Sequence, residues 1–270
     1  MHFIPLSGFI VRRSAPLARC AARVTLFGLF PLVLAGFTAG QAGTGSGLPF
    51  GSGERLDYQV TLANGNRVGT ATMWVEGPVD VRGSRALLFR FDSRIRYMLV
   101  PGRSISSSWF DPVRRASLRF MKHERNPLSR HDESFELYPD EKRWKSAAGD
   151  SGGSPTAEPL DELSFMYFIR TLALTPGAVY SFDRHFDVAR NPIRVTVVRR
   201  EVIPTPLGEL HVVRVEMRVR DPQHYEGEGI IRIHLSDDAC KLPVRIESTM
   251  PVIGTAVLTI TGVQSPCQIR

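Results

Sequence analysis

Nowhere does this chain cluster lysine and arginine with interleaved aromatics, which removes the usual nucleic-acid-binding face. No repeat of fixed period is present either, so a repeat array is excluded. Cysteine is scarce, with three in 270 residues. Cys20 precedes the first apolar run and no cysteine follows it at the lipoprotein position. Acidic residues are missing from residues 1 to 40, where Arg12, Arg13, Arg19 and Arg23 stand alone. Without that segment 30 basic residues face 27 acidic ones, so the formal charge of +7 falls to +3 and argues little for a polyanionic partner. The apolar run Val24 to Phe37 is also too short for a membrane span: it has 14 residues and contains Pro31, against the roughly 20 a bilayer requires.

What is present begins with that run. A basic leader, an apolar stretch and the small residues Thr38 to Gly43 read as a secretory signal peptide over 1–42, cleaved after Gly40 or Ala42. The pair Arg12-Arg13 is followed by Ser14-Ala15-Pro16 rather than by apolar residues, so no twin-arginine route is assigned. The expectation is a periplasmic protein with no transmembrane segment in its mature chain. Residues 43–53 (GTGSGLPFGSG) are expected to form a flexible lead-in.

From Glu54 onward the dominant period is two. Leu87, Phe89 and Phe91 alternate with Leu88, Arg90 and Asp92, and Val213, Val215, Met217 and Val219 alternate with arginines and Glu216. Such alternation marks strands with one dry and one wet face. Asn64-Gly65 predicts a type I′ hairpin, and Gly77-Pro78, Asp111-Pro112 and Pro139-Asp140 read as further turns. The pattern predicts roughly ten to twelve strands, as a sandwich or barrel requires. One segment departs from it: Asp161 to Ala173 has an N-cap Asp, apolar residues Phe165, Phe168, Ile169 and Leu172, and a stop at Thr175-Pro176-Gly177. Leu163, Met166 and Tyr167 widen the apolar surface almost all round, the mark of an enclosed helix. The predicted architecture is mainly β: an antiparallel curved sheet or barrel-like domain over 54–270, enclosing one apolar α-helix at 161–174. A loop at 147–160 separates a first β half (54–146) from a second (178–270). Phe165, Phe168, Ile169 and Leu172 are the candidates for helix core or ligand lining.

Several motifs suggest chemistry. Gly149-Asp150-Ser151-Gly152-Gly153 spells a serine-protease nucleophile signature and fits G-x-S-x-G. An elbow needs a helix leaving it, however, and Ser154-Pro155-Thr156-Ala157-Glu158-Pro159 starts none. His123 with His131-Asp132-Glu133 offers nitrogen and oxygen donors but matches no zinc spacing, and reads as the solvated end of a hairpin. His185, His211, His224 and His234 form no ligand pattern. Asp237-Asp238 offers two carboxylates, but neighbours on a strand point to opposite faces, so Ser236-Asp237-Asp238 reads as a turn. No catalytic, cofactor or metal residue is assigned.

Cys240 and Cys267 remain once a leader carrying Cys20 is removed, and exported thiols tend to pair. Strands Leu242 to Met250 and Gly254 to Val263 around a turn at Pro251 to Gly254 would form a hairpin centred between Ile253 and Gly254. That register puts residues 240 and 267 face to face, which predicts a disulfide.

The chain resembles the exported bacterial family of domain of unknown function 3108. The resemblance rests on Gly53-Glu54-Arg55-Leu56-Asp57-Tyr58 with Val68-Gly69, on Asp161-Glu162-Leu163-Ser164 through Tyr167 and Arg170 to Pro176-Gly177, and on Thr205-Pro206-Leu207-Gly208. It extends through Leu235-Ser236-Asp237-Asp238 to Leu242-Pro243-Val244-Arg245-Ile246 and Gly254. It implies an exported β-rich domain and transfers no activity. The favoured reading is therefore non-enzymatic: a periplasmic protein that binds an apolar or envelope-derived ligand, or an envelope structural or assembly factor. A hydrolase of cell-envelope polymers is the alternative.

Overall fold

Alternating apolar residues over successive stretches build β1 (Arg55–Leu62), β2 (Arg67–Val81), β3 (Ser84–Tyr97), β4 (Val100–Asp111), β5 (Ala116–Asn126), β6 (Ser129–Tyr138), β7 (Arg143–Ser146) and β8 (Ser151–Gly153). After the helix α1 (Glu162–Phe168) come β9 (Val179–Phe182), β10 (Ile193–Thr205), β11 (Gly208–Arg220), β12 (Glu228–Ser236), β13 (Pro243–Met250) and β14 (Gly254–Gln264). The computed structural model describes residues 47–98, 100–127, 129–220, 228–250 and 254–267. The signal peptide expected over 1–42, His224 and residues 251–253, where the last hairpin turn was expected, lie outside them. No helix among the described residues is long and apolar enough to cross a membrane.

These strands form one antiparallel sheet, ordered β8-β7-β6-β5-β4-β3-β2-β1-β14-β13-β12-β11-β10-β9. Two meanders are thus joined back to back where the first strand pairs with the last, Val60 opposite Leu258. The sheet curves around α1, and one continuous core fills the concave side: Leu56, Tyr58, Met73, Phe89, Phe110, Phe120, Val195, Val215, Ile233 and Ile260 pack with the helix. The alternation read in β11 holds, with Val215 and Met217 buried and Arg218 outside; in β3 Phe89 is buried and Asp92 lies outside, but Leu88, read on the wet face, is buried too.

Local details correct the sequence reading. The β1–β2 connection is a four-residue loop in which Leu62 accepts from the Gly65 amide (2.9 Å) and only Gly65 is left-handed (φ 85°). A type I′ turn needs positive φ at both central residues. Gly77-Pro78 is no turn but interrupts β2, where the ladder to β3 slips between Glu76 and Val79. The expected loop at 147–160 contains β8, hairpinned onto β7. Gly152 is required there, because a Cβ would fall 2.7 Å from the Trp144 ring. The lead-in is ordered from Leu48, since Phe50 is buried against Phe89 and Tyr167 at 5.5 and 5.3 Å. The helix is shorter than predicted: α1 ends at Phe168, and Ile169–Thr171 tightens into a 3-10 turn.

Cys240 and Cys267 lie at disulfide distance, Cα to Cα 5.6 Å, but not by the expected geometry. Arg245 faces Thr259 and Met250 faces Gly254, so the hairpin is centred on residue 252 and its register would set Cys240 against Gln264. The cysteines meet because both lie beyond the ladder. Asp238 Oδ1 accepts from the Cys240 and Lys241 amides and folds the 237–242 segment over, while the chain bends after Gln264.

Candidate functional site

Residues directly opposite one another in an antiparallel ladder share a face. On the concave side Phe91 faces Ser106, which faces Lys122, which faces Glu133, and one step towards the rim Ser93, Ser104, Glu124 and His131 follow. Above the apolar floor of Phe89, Ser108 and Phe120, the first meander therefore presents a polar inner wall. Lys122 Nζ lies 3.1 Å from Glu124, and His131 Nε2 lies 2.8 Å from Glu133. All four side chains stay about one-quarter to one-third exposed, so the concavity is open to solvent here. In the second meander the half-buried inward positions are mainly apolar: Val219, Ile231 and Leu258 pack against the core, with Ser248 between Ile231 and Ala256. Sequence reading misses this division. His131 and Glu133 look like hairpin-end residues in the sequence, and only the β3–β6 register shows that they face inward with Lys122.

The helix closes the bottom of this space. Asp161 caps it, accepting from the Leu163 and Ser164 amides at 2.9 Å, while Ser164 Oγ accepts from the Asp161 amide. Ser108 donates to the second Asp161 oxygen (2.6 Å), and Ser117 donates to Ser164 (2.7 Å), which locks the helix start onto β4 and β5. Burial pushes the Asp161 carboxyl up to about 6, against these hydrogen bonds. Phe165, Phe168 and Ile169 are buried as packed core, while Leu172 is only half-buried because the chain has left the helix there. Glu162 and Met166, about one turn apart on α1, are half-exposed.

Around Glu162 gather Arg190 (2.5 Å), His185 (4.0 Å) and, further off, Lys122. Burial tends to raise the Glu162 pKa, but these cations outweigh it and bring it to about 2. His185 is a cation only in acid and is neutral near pH 7: burial lowers its pKa to about 4, and its Nδ1 accepts from the Asp187 amide at 3.0 Å. For Lys122 burial opposes the charge, yet Glu124, Glu162 and Glu133 together raise its pKa above the ordinary lysine value.

A second polar centre is sealed from solvent. Arg170 donates to both Glu54 oxygens (2.6 and 2.9 Å) and to the Pro49 and Cys240 carbonyls (2.8 and 3.0 Å), with Phe50 and Tyr167 rings 5.3 and 5.5 Å away. Tyr58 donates to the Pro243 carbonyl at 2.8 Å. The stretches around Glu54, Arg170 and Leu242 that carry the family resemblance thus meet at one ion pair. Their role is to hold three distant segments together.

The remaining motifs fall on structural positions. Ser151 is exposed on the β7–β8 hairpin. His123 pairs with Asp132 at 2.7 Å on the outer face, opposite to His131. His234 is buried beside Glu201 at 3.2 Å and His211 is exposed. Asp238 makes the expected Asx turn. No group of three or more His, Cys, Asp or Glu among the described residues is placed to hold a metal ion.

Comparison with known proteins agrees with this architecture. A β-barrel-like protein of domain of unknown function DUF1849 from Brucella abortus matches with a TM-score of 0.56 at 11% identity, over 79% of this chain and 98% of its own. A DUF1089 family protein from Pseudomonas aeruginosa aligns over 81% and 98% of the two chains at 9% identity, with a TM-score of 0.31. No curated protein matches. The family model described as "Protein of unknown function (DUF3108)" matches residues 57–261.

Proposed function

Because the chain belongs to the DUF3108 family, which brings no activity with it, we propose that it is an exported, non-catalytic protein that holds an apolar or amphipathic envelope-derived ligand in the concavity of its sheet. One observation carries the reading: the half-exposed inner surface is divided, with Ser93, Ser104, Lys122, Glu124, His131 and Glu133 on one side and Val219, Ile231 and Leu258 on the other. A ligand with a hydrogen-bonding head and a hydrocarbon body satisfies both walls, since stranding either end against the wrong wall costs desolvation. Residues 1–42 support export, and the periplasm is the compartment that follows.

Hydrolysis of envelope polymers finds less support. Lys122 faces Ser106, the residue types of a base and a nucleophile, but its carboxylate neighbours hold the amine charged where a base must be neutral. Glu162 is held ionised and is no proton donor near neutral pH.

The test is isolation of the mature protein from the periplasm of its own host, followed by organic extraction and mass spectrometry. A co-purifying lipid-like molecule is expected, together with an amino terminus at Gln41 or Gly43. An empty protein that also fails to take up a fluorescent fatty-acid probe would overturn the reading.

A further inference from the structure

At the rim where β3–β4 and β5–β6 turn, the outer face carries an unusual alignment. Arg94 on β3 faces Arg103 on β4, which faces Arg125 on β5, which faces Arg130 on β6. Four like charges thus stand at one level on adjacent strands, about 4.8 Å apart laterally. Like charges directly opposite one another destabilise a sheet. Asp92 binds Arg103 through both oxygens (3.0 and 2.7 Å) and Arg94 at 3.4 Å, and Asp132 pairs with Arg130. Arg125, and Arg96 one step nearer the tip, have no acidic partner among the described residues. Arg94, Arg96, Arg103 and Arg125 also border an open cleft of about 570 Å³ that spans the rim, lined as well by Pro101, Pro127 and the inner-face pair Ile95 and Gly102. Beyond the arginines the β3–β4 tip ends in apolar side chains held in water: Met98 is 78% exposed and Val100 40%.

We propose that this rim docks the protein on an anionic lipid bilayer, the arginine row against headgroup phosphates and Met98 and Val100 in the acyl boundary. The surplus of positive charge makes the charge complementarity, and the tip decides between occupants. A soluble polyanion is satisfied by arginines alone, whereas a bilayer sets hydrocarbon directly beneath its charged layer. The surface lies on the convex side, apart from the ligand wall proposed above, and stands independently of it.

Sedimentation with phosphatidylglycerol–phosphatidylcholine vesicles tests the assignment. Binding is expected to these vesicles and not to pure phosphatidylcholine, and to weaken as salt screens the charges. The double variant Arg96→Ala/Arg125→Ala removes only unpaired charges, so it should fold normally and lose about thirtyfold in partitioning, roughly fivefold per arginine. Met98→Ser/Val100→Ser should weaken vesicle binding severalfold while leaving any binding of dextran sulfate unchanged. Equal binding to neutral vesicles, no binding at low salt, or folded arginine variants that bind as wild type would overturn the proposal. So would serine variants without effect beside tight dextran sulfate binding, which would assign the row to a soluble polyanion.

Discussion

Arg170 and Glu54 have fully buried side chains, so their worth lies in what happens when one partner is lost. Removing a single member of a buried pair strands the other charge, at about 3–5 kcal/mol, whereas replacing both with apolar groups is often close to neutral. Arg170→Met is therefore expected to lower unfolding free energy by that amount in urea titrations, and Glu54→Leu/Arg170→Met to recover most of it. A double variant as unstable as the single would mean that the lost bonds to the Pro49 and Cys240 carbonyls matter more than the pair. A second residue-scale prediction concerns pH. Asp161 has its folded pKa raised to about 6, so it contributes stability while protonated and loses it as pH rises from about 4 through 6. His185 has its folded pKa lowered to about 4, so its contribution is present above pH 6.5 and is lost as pH falls through 4. Each shift is worth roughly 3 kcal/mol, and over the same window they oppose each other. Asp161→Asn removes one of them, so the variant should lose roughly 3 kcal/mol more than wild type between pH 6.5 and 4 in denaturant titrations. Parallel wild-type and variant profiles would show that Asp161 does not titrate there.

At the scale of elements, the last hairpin is tied at its open end by Cys240 and Cys267. We expect them to be oxidised in exported protein, and non-reducing peptide mapping should recover them as one linked pair. Reduction should then cost on the order of 3–4 kcal/mol for a loop of this length. Two freely alkylatable thiols would reject the bond. The pairing was legible from cysteine count and compartment, but the register was not. Period two fixes which face a side chain takes and leaves the centre of the turn undetermined, and the cysteines reach each other through an Asx turn outside the ladder. The helix shows the same limit. Asp161 was readable as its start, while the periodic residues ran on to Leu172 past an α-helical end at Phe168. The 3-10 turn keeps Ile169 and Arg170 buried with almost the same spacing, which makes the true end invisible to periodicity.

For the whole molecule, local pattern identified strands and an enclosed helix but had no means of showing that β1 pairs with β14, since that contact joins residues about 200 positions apart. Nor could it show the divided inner wall, which exists only once β3 to β6 are in register. The same topology makes a prediction. β1 and β14 lie in the middle of the sheet, whereas β8 and β9, its two ends, have three and four residues and are not paired with each other. The gap is closed by a smaller device. Leu160 makes a parallel bridge to His185 with hydrogen bonds of 2.6 and 3.0 Å, and Phe186 packs against Phe135 and Trp144 at 4.9 and 6.0 Å. Regions held by few buried contacts open first. Amide hydrogen exchange should therefore reach β7, β8 and β9 earliest and β1, β2 and β14 last. Phe186→Ala, which removes the aromatic contact across the seam, should speed exchange in the first group well beyond its effect on the second. A uniform loss of protection over all strands would mean that the seam opens only with the whole sheet, and that the bridge at Leu160 and His185 closes the barrel as firmly as a ladder would.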